Sequence, residues 1–396
     1  MVQLSYGIFD ADNHYYEPRD AFTRFIEPKH RDKAVRVVKD AQGERIMIGE
    51  KPFTFLADME LNFDTTLRPG SLRDFLRTLT HENPDESAVQ EPVQPAYVNR
   101  EARLKLMDEQ RIESAFLFPT LGVCVEHFMK DDVEQMYANL RAFNRWIDEE
   151  WGFAYKGRIY APPLLSLLDV NEAVKDLEWA LGRGTPMIIL RTGPAYKHHL
   201  ADPHFDPFWS RVNEAKIAVG FHVGEAGYNE MMSVWFGEEA NPSSHSQSAF
   251  QWTNCYGDRP IMDTVSGLVF GNLFGRFPNI RVCSIEHGSL WVPYITKAMD
   301  KMKGMGRNGP WPGGRPKGKP SEIFKEHFWI NPYHEEDIEP LLAVVGPERV
   351  LFGSDYPHPE CLVPPAEYAE ELKDRPEKMR RDILRDNARR LVGLPV

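Results

Sequence analysis

Cysteine is scarce in this 396-residue chain: Cys124, Cys255, Cys283 and Cys361 lie far apart, with no Cys-x-x-Cys pair. That spacing excludes a zinc ribbon and a dithiol redox motif, and the thiols read as reduced, in a cytoplasmic protein. Long apolar runs are also missing. No stretch of about 20 apolar residues occurs, which argues against a membrane span. The start, MVQLSYGIFDADNHYYEP, has no basic region followed by an apolar run, so no export signal of that kind is expected. Positive charge is in deficit: 47 Lys and Arg against 59 Asp and Glu leave a net charge of -12. Nucleic acids and anionic membranes, which bind Lys- and Arg-rich surfaces, are therefore excluded as general partners. No GxGxxG or GxxxxGK[ST] turn follows any apolar run, so the phosphate cradle of a doubly wound open sheet is absent.

What is present is a chain with 42% hydrophobic and 27% charged residues, the balance of a folded globular enzyme. Short apolar runs alternate with amphipathic helical stretches, the pattern of a parallel sheet linked by helices. Eight runs qualify as strands: 6–12, 114–119, 159–165, 187–191, 217–222, 280–286, 327–331 and 350–355. Between them, Asp169 is a helix cap with Glu172 three residues on, and Val170, Ala173, Val174, Leu177 and Leu181 form that helix's apolar face. Val98, Ala102 and Leu106 mark a helix before the second strand; Met136, Leu140, Phe143 and Ile147 mark one after it. Eight strands with intervening helices predict an α/β fold, a (β/α)8 TIM barrel formed by residues 1–396 as a single domain.

Three segments exceed a minimal barrel. Residues 22–94 contain VRVVKDAQGERIMIG, read as a hairpin, followed by a Pro- and Asp-rich loop, and are expected to overhang the site as a lid. Residues 225–258, after the fifth strand, mix Tyr228, Trp235, Phe236, Phe250 and Trp252 with Ser, Asn and Gly, as a pocket-shaping loop does. Residues 301–319, rich in Gly, Pro and Lys, read as a mobile solvated loop.

Barrel enzymes assemble metal sites from strand C-termini. The first strand ends in FDADNHYYEP, where Asp12 and His14, two apart in extended backbone, share a face. The fifth ends at His222 and the eighth at Asp355, beside the first in a closed barrel. The sixth delivers Glu286 and His287, the imidazole suited to act as acid, base or oxyanion stabiliser. Taken singly, Asp12 is equally a turn cap, His222 a satisfied core histidine and Asp355 a loop anchor. Taken together, strand ends converging on one rim make a site. Glu286 and His358 are assigned as partners that orient the ligands from outside, with Glu360 in a similar or solvent-exposed position. Arg191, ending the fourth strand, either clamps a substrate carboxylate or pairs with a neighbouring acid.

With DADNHYYEP, FHVG, EHGSLW and GSDYPHPE in this order, nearly the whole chain resembles the amidohydrolase superfamily. The resemblance is to the amidohydrolase-related branch that includes aminocarboxymuconate-semialdehyde and gamma-resorcylate decarboxylases. It implies that Asp12, His14, His222 and Asp355 hold a divalent metal, and that His287 and Asp355 are catalytic. Many relatives have His-x-His on the first strand where this chain has Asp12-Asn13-His14. The oxygen and imidazole donors favour Zn²⁺, with Mn²⁺ as the alternative, and no organic cofactor is called for. The reaction implied is non-oxidative decarboxylation of an aromatic or unsaturated carboxylic acid. The same residues also suit hydrolysis of an ester, thioester, amide or lactone, and a non-catalytic ligand-binding barrel is the third reading. The expected partner is a small carboxylate or carbonyl compound, bulky and partly apolar given the lid and aromatic loop; a homodimer is expected from the resemblance.

Overall fold

The computed structural model describes residues 4–41, 43–56, 63–79 and 89–396. Its centre is a set of short parallel strands buried on both faces, which accounts for their unbroken apolar runs. Ile8–Tyr15 (β1) is buried at all eight positions. An antiparallel hairpin follows, Val35–Asp40 (β2) against Gly43–Ile48 (β3), with Lys51–Pro52 (β4) on its far edge; then Thr65–Leu67 (β5) pairs with Gln90–Pro92 (β6). The core strands resume with Ile112–Pro119 (β7), Ile159–Tyr160 (β8), Met187–Leu190 (β9), Ala218–His222 (β10), Arg281–Ile285 (β11) and Phe328–Ile330 (β12).

Two parallel sheets result, ordered β1-β7-β8 and β12-β11-β10-β9. Isolated parallel bridges connect their margins: Leu164 to Ile189 at one side, Ile330 to Val350 and Asn13 to Tyr356 at the other. The expected third strand, 159–165, is a ladder only at its start, because Pro162 and Pro163 have no N–H to donate. Pairing resumes where the Leu165 N–H donates to the Ile189 carbonyl at 2.9 Å. The expected eighth strand, 350–355, makes no continuous ladder. Its backbone donates and accepts one bond at a time, Ala11 N–H to Phe352 O at 2.8 Å and Asp355 N–H to Asp12 O at 2.8 Å. Asp355 itself turns into the left-handed region, φ +61°, which ends the pleat.

Helices cover the strands as the apolar spacing demands. Asp169 caps Val170–Gly182 by accepting from the Asn171 and Glu172 N–H groups, with Ala173 and Leu177 fully buried beneath. Val133–Glu150 buries Met136, Leu140, Phe143 and Ile147. The helix before β7 differs from its sequence reading. Asn99 interrupts it, capping Arg100–Gln110, and the buried face is Arg103, Leu104 and Met107, with Ala102 and Leu106 at its margin. A buried arginine was invisible to a pattern that counted only apolar residues.

The N-terminal insertion carries the expected hairpin, while part of its following loop lies outside the described residues. The segment after β10 is not an open loop: it folds into short helices, Tyr228–Met232 and Ala249–Cys255, the second closed by a Ser248/Gln251 capping box. The two insertions meet where the Ser244 N–H donates to the Phe55 carbonyl at 2.6 Å. Residues 301–305 belong to the helix Trp291–Met305, and the rest of that Gly/Pro segment is tied down by Asn272 Nδ2 donating to the Gly313 carbonyl at 2.9 Å. The loop expected over 301–319 therefore begins only after Met305, and within it the Trp311 ring lies 6.0 Å from that of Phe270. No described helix is long and apolar enough to cross a membrane.

Candidate metal centre

Asp12, His14, His222 and Glu286 each present one donor atom, and these atoms lie within 4.8 Å of one another; His14, Glu286, Asp355 and His358 form an overlapping group of the same size. His14 Nε2 lies 3.4 Å from Asp12 Oδ1, 3.4 Å from Asp355 Oδ1 and 3.7 Å from Glu286 Oε2. His222 Nε2 lies 3.2 Å from His14 Nε2 and 3.3 Å from Glu286 Oε2. Asp12, His14, His222, Glu286, Asp355 and His358 all border one cavity of about 950 Å³.

The backbone explains the convergence. Asp10 and Asn13 pair with Ala115 and Leu117, so β1 spends one more residue than β7 across this interval and bulges at Asp12. Such bulges re-aim side chains near functional sites. Asp10 pins the bulge, accepting from Ser354 Oγ at 2.6 Å, Ser354 N at 2.9 Å and Asn13 Nδ2 at 3.0 Å. Burial pushes its pKa up to about 6 against those hydrogen bonds. Gly353 lets the next segment approach: a Cβ there would stand 2.3 Å from the Asp12 Cβ. Arg103, 1% exposed, reaches underneath β1. Its guanidinium donates to Asn13 Oδ1, to the His14 carbonyl at 2.6 Å and to the Ala96 carbonyl at 2.7 Å.

The imidazoles are oriented from behind. His222 Nδ1 faces the Val223 carbonyl at 2.8 Å, leaving Nε2 toward the centre. His358 bridges Asp355 Oδ1 at 2.8 Å and Thr120 Oγ1 at 2.9 Å, and, expected as an outer partner, it also presents a ring nitrogen to the second group of donors. Glu286, expected as an outer partner, instead enters the cluster, because it takes a left-handed backbone, φ +57°, that turns its carboxylate inward. His287 is buried 1% exposed, with Nδ1 3.2 Å from Ser284 Oγ and Nε2 unpartnered, and it is not among the residues lining the cavity. Burial, then the His222 charge, lowers its pKa to about 3. Arg191 does not reach the cavity; it donates to the Ala226 and Pro194 carbonyls at 2.5 and 2.9 Å, with Glu126 Oε1 3.8 Å away. Its Nε is buried without a hydrogen bond beside Glu126, the kind of neighbouring acid expected as one of its two alternatives.

Charge makes the case for a cation. Burial works to raise the Asp12 pKa, but the facing imidazoles of His14 and His222 outweigh it and hold the carboxylate below its ordinary value. Burial, reinforced by Glu286, Glu360 and Asp12, pushes Asp355 well up, and burial does the same to Glu286. Three buried carboxylates meeting without an arginine or lysine are a poor arrangement on their own. Asp12 Oδ1, Asp355 Oδ2 and His14 Nδ1 are buried without a hydrogen bond. Oxygen and imidazole donors on one point fit a divalent metal.

Missed by sequence reasoning were Asp10, Arg103, Thr120, Gly353 and Glu17. Glu17 lines the cavity and accepts from the Leu121 and Gly122 N–H groups at 3.0 and 2.8 Å, with burial lifting its pKa to about 7. The available signal was charge inside an apolar context, Asp10 within IFDAD above all.

A family model described as "Amidohydrolase" matches residues 58–394. A 2-amino-3-carboxymuconate-6-semialdehyde decarboxylase from Dictyostelium discoideum is 26% identical over 212 residues, half of this chain and half of that protein. A solved amidohydrolase from Mycobacterium avium subsp. paratuberculosis is 35% identical, with 99% of this chain and 100% of that one covered and a TM-score of 0.86. A dihydroxybenzoic acid decarboxylase from a Polaromonas species, solved with bound manganese and an inhibitor, is 17% identical, with 98% and 97% covered and a TM-score of 0.62. These likenesses imply a TIM-barrel fold.

Proposed function

The chain belongs to the amidohydrolase family, and from that premise and the cluster geometry we propose that it is a metal-dependent carboxy-lyase for an aromatic or unsaturated carboxylic acid. The observation carrying this reading is the convergence of Asp12, His14, His222, Glu286 and Asp355 at the floor of the cavity. Asp12, His14, His222 and Asp355 hold the metal, and Glu286 adds a further carboxylate. With three carboxylates and two imidazoles the set leans toward Mn²⁺ rather than the four-coordinate closure typical of Zn²⁺. When bound, the metal supplies a Lewis-acidic anchor for the substrate carboxylate and a neighbouring oxygen.

This chain's own residues do the rest. Asp355, linked to His358 and through it to Thr120, holds a proton over the cavity and passes it to the substrate carbon. The carbon–carboxylate bond breaks, its electron pair takes that proton and CO2 leaves. His287, buried and off the cavity wall, supports the site from behind Glu286's turn. We take the bridges at Leu164, Val350 and Tyr356 as closing the eight strands into one barrel, with residues 22–94 as its lid. A homodimer is supported by Leu290, Tyr294, Met302 and Met305, apolar and exposed along one helix.

The test is to load purified protein with Mn²⁺ or Zn²⁺ and follow CO2 from a panel of aromatic and unsaturated acids, with Asp355→Asn as control. CO2 release by the wild type, lost in the variant, is expected. Hydrolysis of esters or lactones without CO2 from any acid would overturn the carboxy-lyase reading in favour of a hydrolase.

A further inference from the structure

The walls above the metal cluster differ from its floor. Phe55, Leu67, Leu72, Leu76 and Val93 from the lid side and Trp252 from the segment after β10 make them apolar. At about 950 Å³ the cavity sits near the top of the roughly 300–1,000 Å³ range that encloses drug-sized ligands. A single small ring would leave most of this wall wetted.

Acidic groups dominate the charge on the walls. Outside the floor cluster, Glu17, Asp20, Asp64, Glu335 and Glu360 border the cavity. Among the described lining residues no lysine occurs and the one arginine is Arg19. Arg19 is already committed. Its Nε and Nη2 face Glu44 at 2.8 to 3.2 Å, its Nη1 and Nη2 donate to Asp64 at 3.1 and 2.8 Å, and its guanidinium lies over the Phe63 ring. Arg191 and Arg103 do not line the cavity; their guanidiniums donate to carbonyls and, for Arg103, to Asn13, and Arg191 Nε faces Glu126 Oε1 at 3.8 Å. A carboxylate far from the floor would lose its hydration and find no lysine and only the already paired Arg19 among the described lining residues, with neutral donors such as Thr65, Tyr333 and His334 to set against the acidic groups.

We propose that the site takes a bulky monoanion: one carboxylate directed to the floor and an extended apolar body, two fused rings or larger, with no second anionic group. The carboxylate end of this proposal rests on the carboxy-lyase reading; the exclusion of a second anion rests on the walls alone.

The test is calorimetric titration of the manganese-loaded protein with 2-naphthoate, benzoate and naphthalene-2,6-dicarboxylate at fixed ionic strength. Naphthoate is expected to bind at least tenfold more tightly than either of the others. Leu76→Arg, at a wall residue that is 45% exposed, should narrow the gap between naphthoate and the dicarboxylate by about tenfold. A dicarboxylate that binds the wild type as tightly as naphthoate, or benzoate that matches naphthoate, overturns the proposal. Binding in the expected order with no CO2 released from any acid overturns the reaction and leaves the substrate class standing. No binding by any of the three acids overturns both.

Discussion

The two halves of the metal cluster are built differently. His14 and His222 sit within extended strands, β1 and β10, paired in register with Phe118 and Ile285 on the neighbouring strands. Glu286 and Asp355 come just after the regular pairing stops, at φ +57° and +61°. A non-glycine residue in that region costs about 1 kcal/mol or more and persists where its surroundings demand it. The histidines are thus placed by strand pairing, with the β1 bulge between Asp10 and Asn13 just ahead of His14, whereas Glu286 and Asp355 are held in place against local preference. Strained backbone aimed at a shared point is how this site gathers like charges that would otherwise separate.

Five substitutions probe that contrast, in descending order of effect, the fourth paired with the third as its control. Arg103→Ala removes the support under β1 and leaves the His14 and Ala96 carbonyls and Asn13 Oδ1 unpaired, so stability should fall by about 3 kcal/mol or more. Chemical denaturation would read this, and metal occupancy should drop with it; an unchanged midpoint would show that the histidine half does not depend on Arg103. Gly353→Ala drives a methyl group into Asp12 and the Asn331 amide, for a loss of about 2 kcal/mol and a weaker metal site. Wild-type metal affinity in that variant would count against the close approach as a condition of the site.

The third substitution should move the two halves in opposite directions. Glu286→Gly relieves the left-handed strain and one buried carboxylate, so the metal-free protein should gain about 1 kcal/mol while metal affinity falls. The same change at His14, in regular strand, should destabilise the metal-free protein. Thermal unfolding of both variants, with and without metal, separates the cases. If Glu286→Gly also destabilises the metal-free form, the strain account fails. The smallest effect is expected at Arg191→Lys, where affinity for a carboxylate probe should stay within about twofold, because the guanidinium braces the Ala226 and Pro194 carbonyls. A larger loss would return Arg191 to substrate binding.

Regular pairing also governed how much could be read from sequence. Asp12, His14, His222 and Asp355 were legible because each closes an apolar run; periodicity orients His222, whereas the bulge between Asp10 and Asn13 and the positive φ at Asp355 set the direction of the first-strand and last-strand ligands. Glu286 was assigned to the outer ring because nothing in EHGSLW signals a positive φ at a glutamate. Arg103 escaped because a buried charge inside a helix breaks the apolar pattern used to find helix faces, and its partners are contributed by a strand about 90 positions away. The strand at 350–355 was recognised by composition, yet Gly353 and the turn at Asp355 replace its ladder with single bridges. The N-terminal insertion meets the segment after β10 through the Ser244 to Phe55 backbone bond and the Phe55 and Tyr256 rings, a pairing about 190 residues apart that local patterns do not reveal.

Metal content tests the central claim most directly. Elemental analysis by plasma mass spectrometry of the purified protein and of a His14→Ala/His222→Ala variant should give about one manganese or zinc per chain in the first and close to none in the second. Full metal content in the variant, or a metal-free protein that retains activity, would contradict the site assigned to these residues.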